Sequence, residues 1–125
     1  YIIAKIEMFV KKVTRQMNVQ FKKGVLELCV LAIVSKQDYY GYELVRKISK
    51  QIAISEGTVY PLLRKLTKEG YFTTYLQEST EGPPRKYYTL TDAGETYLRE
   101  LSDEWIAFTE AVNEMIGGKE INGEG

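Results

Sequence analysis

The chain has 125 residues, 44% of them hydrophobic and 27% charged, which suits one small soluble domain, alone or with an accessory helix. It holds no histidine and one cysteine, Cys29, which excludes Ser–His and Cys–His couples, HExxH metal sites, internal disulfides and zinc cages. The net charge is zero but unevenly spread: residues 1–16 carry +3, residues 17–92 carry +3 and residues 93–125 carry −6, so a basic front that suits phosphate meets an acidic tail.

Residues 1–16 place Ile2, Ile6, Phe9 and Val13 on one stripe that continues to Met17, widened by Ile3 and Val10, which predicts an amphipathic helix. A basic helix of this kind can lie on a membrane surface, but packing against protein is its expected use, and no membrane partner is expected. The chain opens on Tyr1, and Met17 can serve as a natural start. Residues 1–16 are therefore expected to be an N-terminal helical extension of vector or alternative origin.

Residues 20–35 are apolar on nearly every side, through Phe21, Val25, Leu26, Leu28 and the run Cys29–Val34. A helix of this composition needs protein on two faces, one supplied by the local core and one by a partner subunit. A buried strand over Leu28–Val34 is the competing reading, and the length of the segment favours helix. The run is too short to cross a membrane and carries Glu27, so a cytoplasmic protein is expected.

SKQDYYG reads as a turn closed by Gly41. Tyr42–Ile52 then forms a helix with Leu44, Val45, Ile48 and Ile52 on one face, followed by a tight turn. The next helix starts at Ser55, an N-cap residue, with Ile54 and Val59 spaced as a hydrophobic staple. Val59, Leu62, Leu63 and Leu66 give it one buried stripe, and Gly70 ends it. Helix, short turn, helix is a helix-turn-helix. YFTTYLQE and RKYYTLT, joined by a six-residue STEGPP loop, read as a β-hairpin placed as a wing. Thr91 caps a last helix running to about Ile116, where Leu98, Leu101, Trp105, Phe108, Val112 and Met115 repeat as a heptad seam. That seam packs either on its own domain or, as the apolar first helix of the domain favours, on another chain.

On a wheel of about 100° per residue, the side of the third helix opposite its buried stripe is centred on Gly57, Pro61, Arg64 and Lys68. Thr58 and Lys65 flank it on one edge and Tyr60 on the other. Arg can donate two bonds to guanine, Lys can neutralise phosphate, and Ser55 with the free amides of the helix start can take a phosphate oxygen. Gly57 allows close backbone approach, and Pro61 gives up an amide near the first turn. A solvated basic face is the plainer reading of this helix alone. With Arg85 and Lys86 on the hairpin beside it, the pattern points to double-stranded DNA.

GVLELCVLAIV, YGYEL (Tyr40–Leu44), SEGTVYPLLRKL (Ser55–Leu66), EGY (Glu69–Tyr71) and GPPRKYYTLTDAG (Gly82–Gly94), in this order and spacing, resemble the short form of the PadR family of bacterial regulators. The resemblance covers roughly Met17–Ile116 and leaves residues 1–16 outside. It implies a mainly α protein: a winged helix-turn-helix DNA-binding domain over residues 17–92 and a dimerisation helix over 93–116, while GGKEINGEG beyond them reads as a flexible tail over 117–125. It implies a homodimeric repressor that carries Thr58, Tyr60 and Arg64 into the major groove, with Arg85 and Lys86 on the wing. It also implies a small hydrophobic or aromatic effector held between subunits near Trp105 and Phe108. The plainer role for Trp105 is an anchor of the dimer seam. The operator is expected to be an inverted repeat with half-sites about one turn, roughly 34 Å, apart. No cofactor and no enzymatic activity are expected, since nothing assembles a nucleophile, a base and oxyanion donors. A winged-helix protein-interaction module without DNA binding is the alternative function.

Overall fold

The computed structural model describes residues 2–16 and 19–117, and the side chains of residues 2–13 and 25–117. Met17, the Phe21 side chain and the tail beyond Gly117 lie outside the described residues, so the expectations placed on them stay open. The elements in chain order are α1 (Ile2–Gln16), α2 (Val19–Val34), β1 (Tyr39–Tyr40), α3 (Gly41–Ser49), α4 (Glu56–Lys68), β2 (Phe72–Ser79), β3 (Gly82–Leu90) and α5 (Asp92–Met115). The apolar run of residues 20–35 is therefore helical, as its length suggested. Among the described residues no helix is long and apolar enough to cross a membrane.

The core forms where α2, α3 and α4 meet the inner face of the sheet. Val30, Leu31 and Val34 of α2 meet Leu44, Val45 and Ile48 of α3, Val59, Leu63 and Leu66 of α4, and Phe72, Tyr39 and Tyr88 of the sheet. Leu62, expected in the buried stripe of α4, is half-buried at the margin of this cluster.

The sheet has three antiparallel strands in the order β1-β3-β2. β1, read from sequence as part of a turn, pairs Tyr39 with Tyr88 and Tyr40 with Tyr87. It makes β3 the central strand. The expected six-residue loop is shorter than predicted. β2 runs through Ser79, Thr80–Glu81 form the turn, and Gly82, Pro83 and Pro84 already belong to β3. The register slips between Gln77 and Ser79, where the two prolines lie opposite Glu78. A bulge at the hairpin end is where residues without amides are tolerated in a strand.

The turn after α4 uses Gly70 at φ 87°, a left-handed conformation that glycine adopts without strain. The Tyr71 amide reaches back to the Leu66 carbonyl at 2.9 Å, and the Thr91 amide bonds the Tyr71 carbonyl at 3.1 Å, which ties the start of α5 to this turn. Thr91 caps α5 as expected, its hydroxyl accepting from the Gly94 amide at 3.0 Å. Gly94 lies directly against the Tyr71 carbonyl and Leu90, with no room for a methyl group.

One polar tie joins three helices. Glu27 of α2 accepts the Tyr97 hydroxyl of α5 at 2.5 Å and the Lys65 ammonium of α4 at 3.1 Å. Tyr97 also stacks on Tyr71, with ring centroids 4.3 Å apart.

Candidate nucleic-acid interface

Burying Val59, Leu63 and Leu66 fixes the rotation of α4 about its axis, since these positions recur on one side of a 3.6-residue helix. The opposite side is thereby turned outward, and Gly57, Pro61, Arg64 and Lys68 are all exposed. Pro61 removes the amide that would bond the Gly57 carbonyl, and it does so on this open side.

Ser55 holds the N-cap position with extended backbone, but its side chain does not cap. Its hydroxyl pairs instead with the Thr58 hydroxyl at 3.3 Å. The Thr58 amide donates to the Ser55 carbonyl at 3.1 Å, which leaves the Glu56 and Gly57 amides unspent at the end of the helix where partial positive charge gathers.

Tyr60 is only half-buried, yet it is anchored. A methyl group added at Gly41 would come within 2.6 Å of its ring, so the ring packs directly against the start of α3. Burial first, then the charge of Glu56 and the neighbouring Tyr40 and Tyr42 hydroxyls, raise its pKa and hold the phenol neutral. Arg64 is close enough to the buried Tyr88 for its charge to favour the phenolate, although burial prevails and the Tyr88 pKa rises. Arg64 therefore stands where the outer face of α4 adjoins the hairpin sheet.

The two wing cations separate. Side chains alternate across a strand, so Lys86 shares the face of β3 that carries Tyr88, whereas Arg85 lies on the other face with Tyr87. Lys86 is exposed. The Arg85 guanidinium sits 4.6 Å over the ring of Tyr40, next to the stacked pair Tyr87–Tyr75. The Tyr75 hydroxyl completes this outer face by donating to Asp38 at 2.7 Å. Lys65 also departs from the sequence reading: its ammonium is drawn toward Glu27 rather than presented beside Arg64. Wheel geometry gave its angle on α4 and could not show a carboxylate 38 residues upstream.

The seam of α5 divides in two. Leu98 and Leu101 pack on the domain's own core. Beyond them Trp105 is 37%, Phe108 60% and Met115 82% exposed, joined by Ile106 and Ile116, while Val112 is half-buried. The apolar side of α1 is likewise uncovered at Ile2, Ile6 and Phe9.

A helix-turn-helix followed by a hairpin wing, with cations on the outer side of its second helix, has the build of a DNA-binding regulator. Residues 30–100 match the transcriptional regulator PadR-like family, and the chain belongs to that family. It is 42% identical to a PadR-like transcriptional regulator of Bacillus cereus, with a TM-score of 0.72 over 78% of this chain and 97% of that one. A PadR family regulator of Eggerthella lenta superposes with a TM-score of 0.73 at 30% identity, over 88% of this chain and 97% of that one. The negative transcriptional regulator PadR of Bacillus subtilis is 28% identical over 96 residues, which is 74% of this chain and half of that protein. The family is one of transcriptional regulators that bind DNA, and its members are not enzymes.

Proposed function

We propose that this protein is a homodimeric repressor that reads an inverted-repeat operator in double-stranded DNA. The observation that carries this reading is the exposed face of α4, with Gly57, Pro61, Arg64 and Lys68 turned away from the core beside the wing. Arg64 is the base-reading residue, Lys68 and Lys86 contact phosphate, and the Ser55 and Thr58 hydroxyls with the Glu56 and Gly57 amides of α4 take a phosphate oxygen. Tyr60 is held at the groove edge by Gly41. Lys65 and Arg85 support the surface from behind, through Glu27 and Tyr40. Residues 17–92 form the DNA-binding domain and residues 93–116 the dimerisation helix.

The uncovered apolar side chains Trp105, Phe108 and Met115 support the dimer, because a soluble chain gains by burying them against a second copy. The same aromatic seam supports an apolar or aromatic effector near Trp105 and Phe108. Repression is supported by the similarity to a negative regulator.

The test begins with a genome-wide pull-down of bound DNA, which supplies the operator. Footprinting is expected to show two protected half-sites about one helical turn apart. Arg64→Ala is expected to weaken operator binding by about 1–3 kcal/mol with no change in melting temperature. Unchanged affinity over a range of salt concentrations would sink the assignment.

A further inference from the structure

The final helix is fastened to the DNA-binding domain at two separate points. The first is backbone. The Tyr71 amide bonds the Leu66 carbonyl at 2.9 Å, the Thr91 amide bonds the Tyr71 carbonyl at 3.1 Å, and the Thr91 hydroxyl donates to the Gly70 carbonyl at 2.7 Å. These bonds pin the start of α5 to the end of α4. The second point is the Glu27 carboxylate of α2, whose two oxygens take different partners. Its Oε1 accepts the Tyr97 hydroxyl of α5, and its Oε2 accepts the Lys65 ammonium of α4. Tyr97 lies past Thr91 by about 9 Å along α5, at 1.5 Å per residue.

One attachment makes a hinge; two fix an angle. Leu98 and Leu101 also hold α5 to the core, but apolar contacts are non-directional and let packed helices slide. The hydrogen bonds of Glu27 are directional. An exposed lysine paired with a carboxylate ordinarily contributes little. Here the Lys65 side chain is 54% exposed but that of Glu27 only 18%, and Tyr97 holds the carboxylate from its other side. A small angle matters because α5 is long. Met115 lies about 27 Å beyond Tyr97, so a tilt of about 7° at the tie shifts the uncovered end by about 3.4 Å, the rise of one base pair. We propose that Glu27 is a positioning residue: by holding Tyr97 and Lys65 together it fixes the angle between α5 and α4, and so sets the half-site spacing that the protein accepts. This rests on the dimeric DNA-binding reading and deepens it. In a dimer joined through α5, that angle decides how far apart the two α4 helices stand.

The full chain is titrated by fluorescence anisotropy onto duplexes carrying the operator from the pull-down, with the spacer between half-sites native or changed by one base pair. The wild type is expected to prefer the native spacing about tenfold, and Tyr97→Phe and Lys65→Ala each to reduce that preference to about threefold. Both act through Glu27, so the double variant is expected to go no further than the single ones, and Glu27→Leu to match it. Ile33→Val trims the margin of the core without touching the tie and is expected to keep the tenfold preference. Lys65 is exposed, so Lys65→Ala keeps the test valid if Tyr97→Phe folds poorly. An equal loss of affinity at every spacing, the same loss of preference in Ile33→Val, or additive effects in the double variant would overturn the role of Glu27 and leave the dimer reading intact. A wild type without spacing preference, or one that sediments as a monomer with and without DNA, would overturn the dimer reading and this inference with it.

Discussion

Removing one oxygen from Tyr97 probes the tie between the final helix and the DNA-binding domain. In Tyr97→Phe the ring remains, and with it the 4.3 Å stack on Tyr71, while the bond to Glu27 is lost. A hydrogen bond to a charged acceptor is worth about 1.5–3 kcal/mol. Glu27 keeps Lys65 as a partner and both groups of the Tyr97 bond reach solvent, so the loss is expected at about 1 kcal/mol. For a chain of this size that is about 4 °C in melting temperature. Tyr97→Ala also forfeits the stack and the buried ring area, and is expected to cost about 3 kcal/mol. The same bond has a pH signature. Its hydrogen bond to Glu27 raises the Tyr97 pKa well above the usual phenol value, and the Glu27 bond raises that of Lys65 too. A pKa raised on folding gives stability that is full below the unfolded value, about 10 for tyrosine, and is lost as pH climbs through the folded value. Urea unfolding of the wild type is therefore expected to be steady from pH 7 to about 9.5 and to weaken above about pH 10, less steeply in Tyr97→Phe. If Tyr97→Phe melted with the wild type, or fell as far as Tyr97→Ala, the tie would have been misjudged.

Gly94→Ala places a methyl group against the Tyr71 carbonyl and Leu90 in a backbone-lined space that cannot yield cheaply; a loss of about 1–3 kcal/mol is expected in thermal unfolding. Trp105→Ala with Phe108→Ala removes exposed apolar surface, so it is expected to leave the domain's own melting behaviour intact while sedimentation equilibrium shows monomer.

The helix-turn-helix was legible because its signals are local. Ser55 and Gly70 bracket α4, Thr91 starts α5, and the spacing of Val59, Leu63 and Leu66 sets which side of α4 is free. What stayed hidden depends on distant partners. β1 is two residues long and exists only because Tyr39 and Tyr40 meet Tyr88 and Tyr87 far along the chain. Lys65 looks available on a wheel until Glu27 arrives from another helix. The two prolines read as loop because a strand seldom takes them, and the bulge opposite Glu78 is what accommodates them. The seam of α5 has one period along its length, so sequence alone could not separate Leu98 and Leu101, spent on the domain, from the uncovered Trp105 and Phe108.

The salt dependence of operator affinity, compared between Lys68→Ala and Lys65→Ala, tests the proposed DNA-reading face most directly. Each phosphate contact contributes about 0.9 to the slope of log affinity against log salt. Lys68→Ala is expected to lower the slope by about one, and Lys65→Ala, whose ammonium is bound to Glu27, to leave it unchanged. Equal slopes for both variants and the wild type, or a loss with Lys65→Ala alone, would contradict the account.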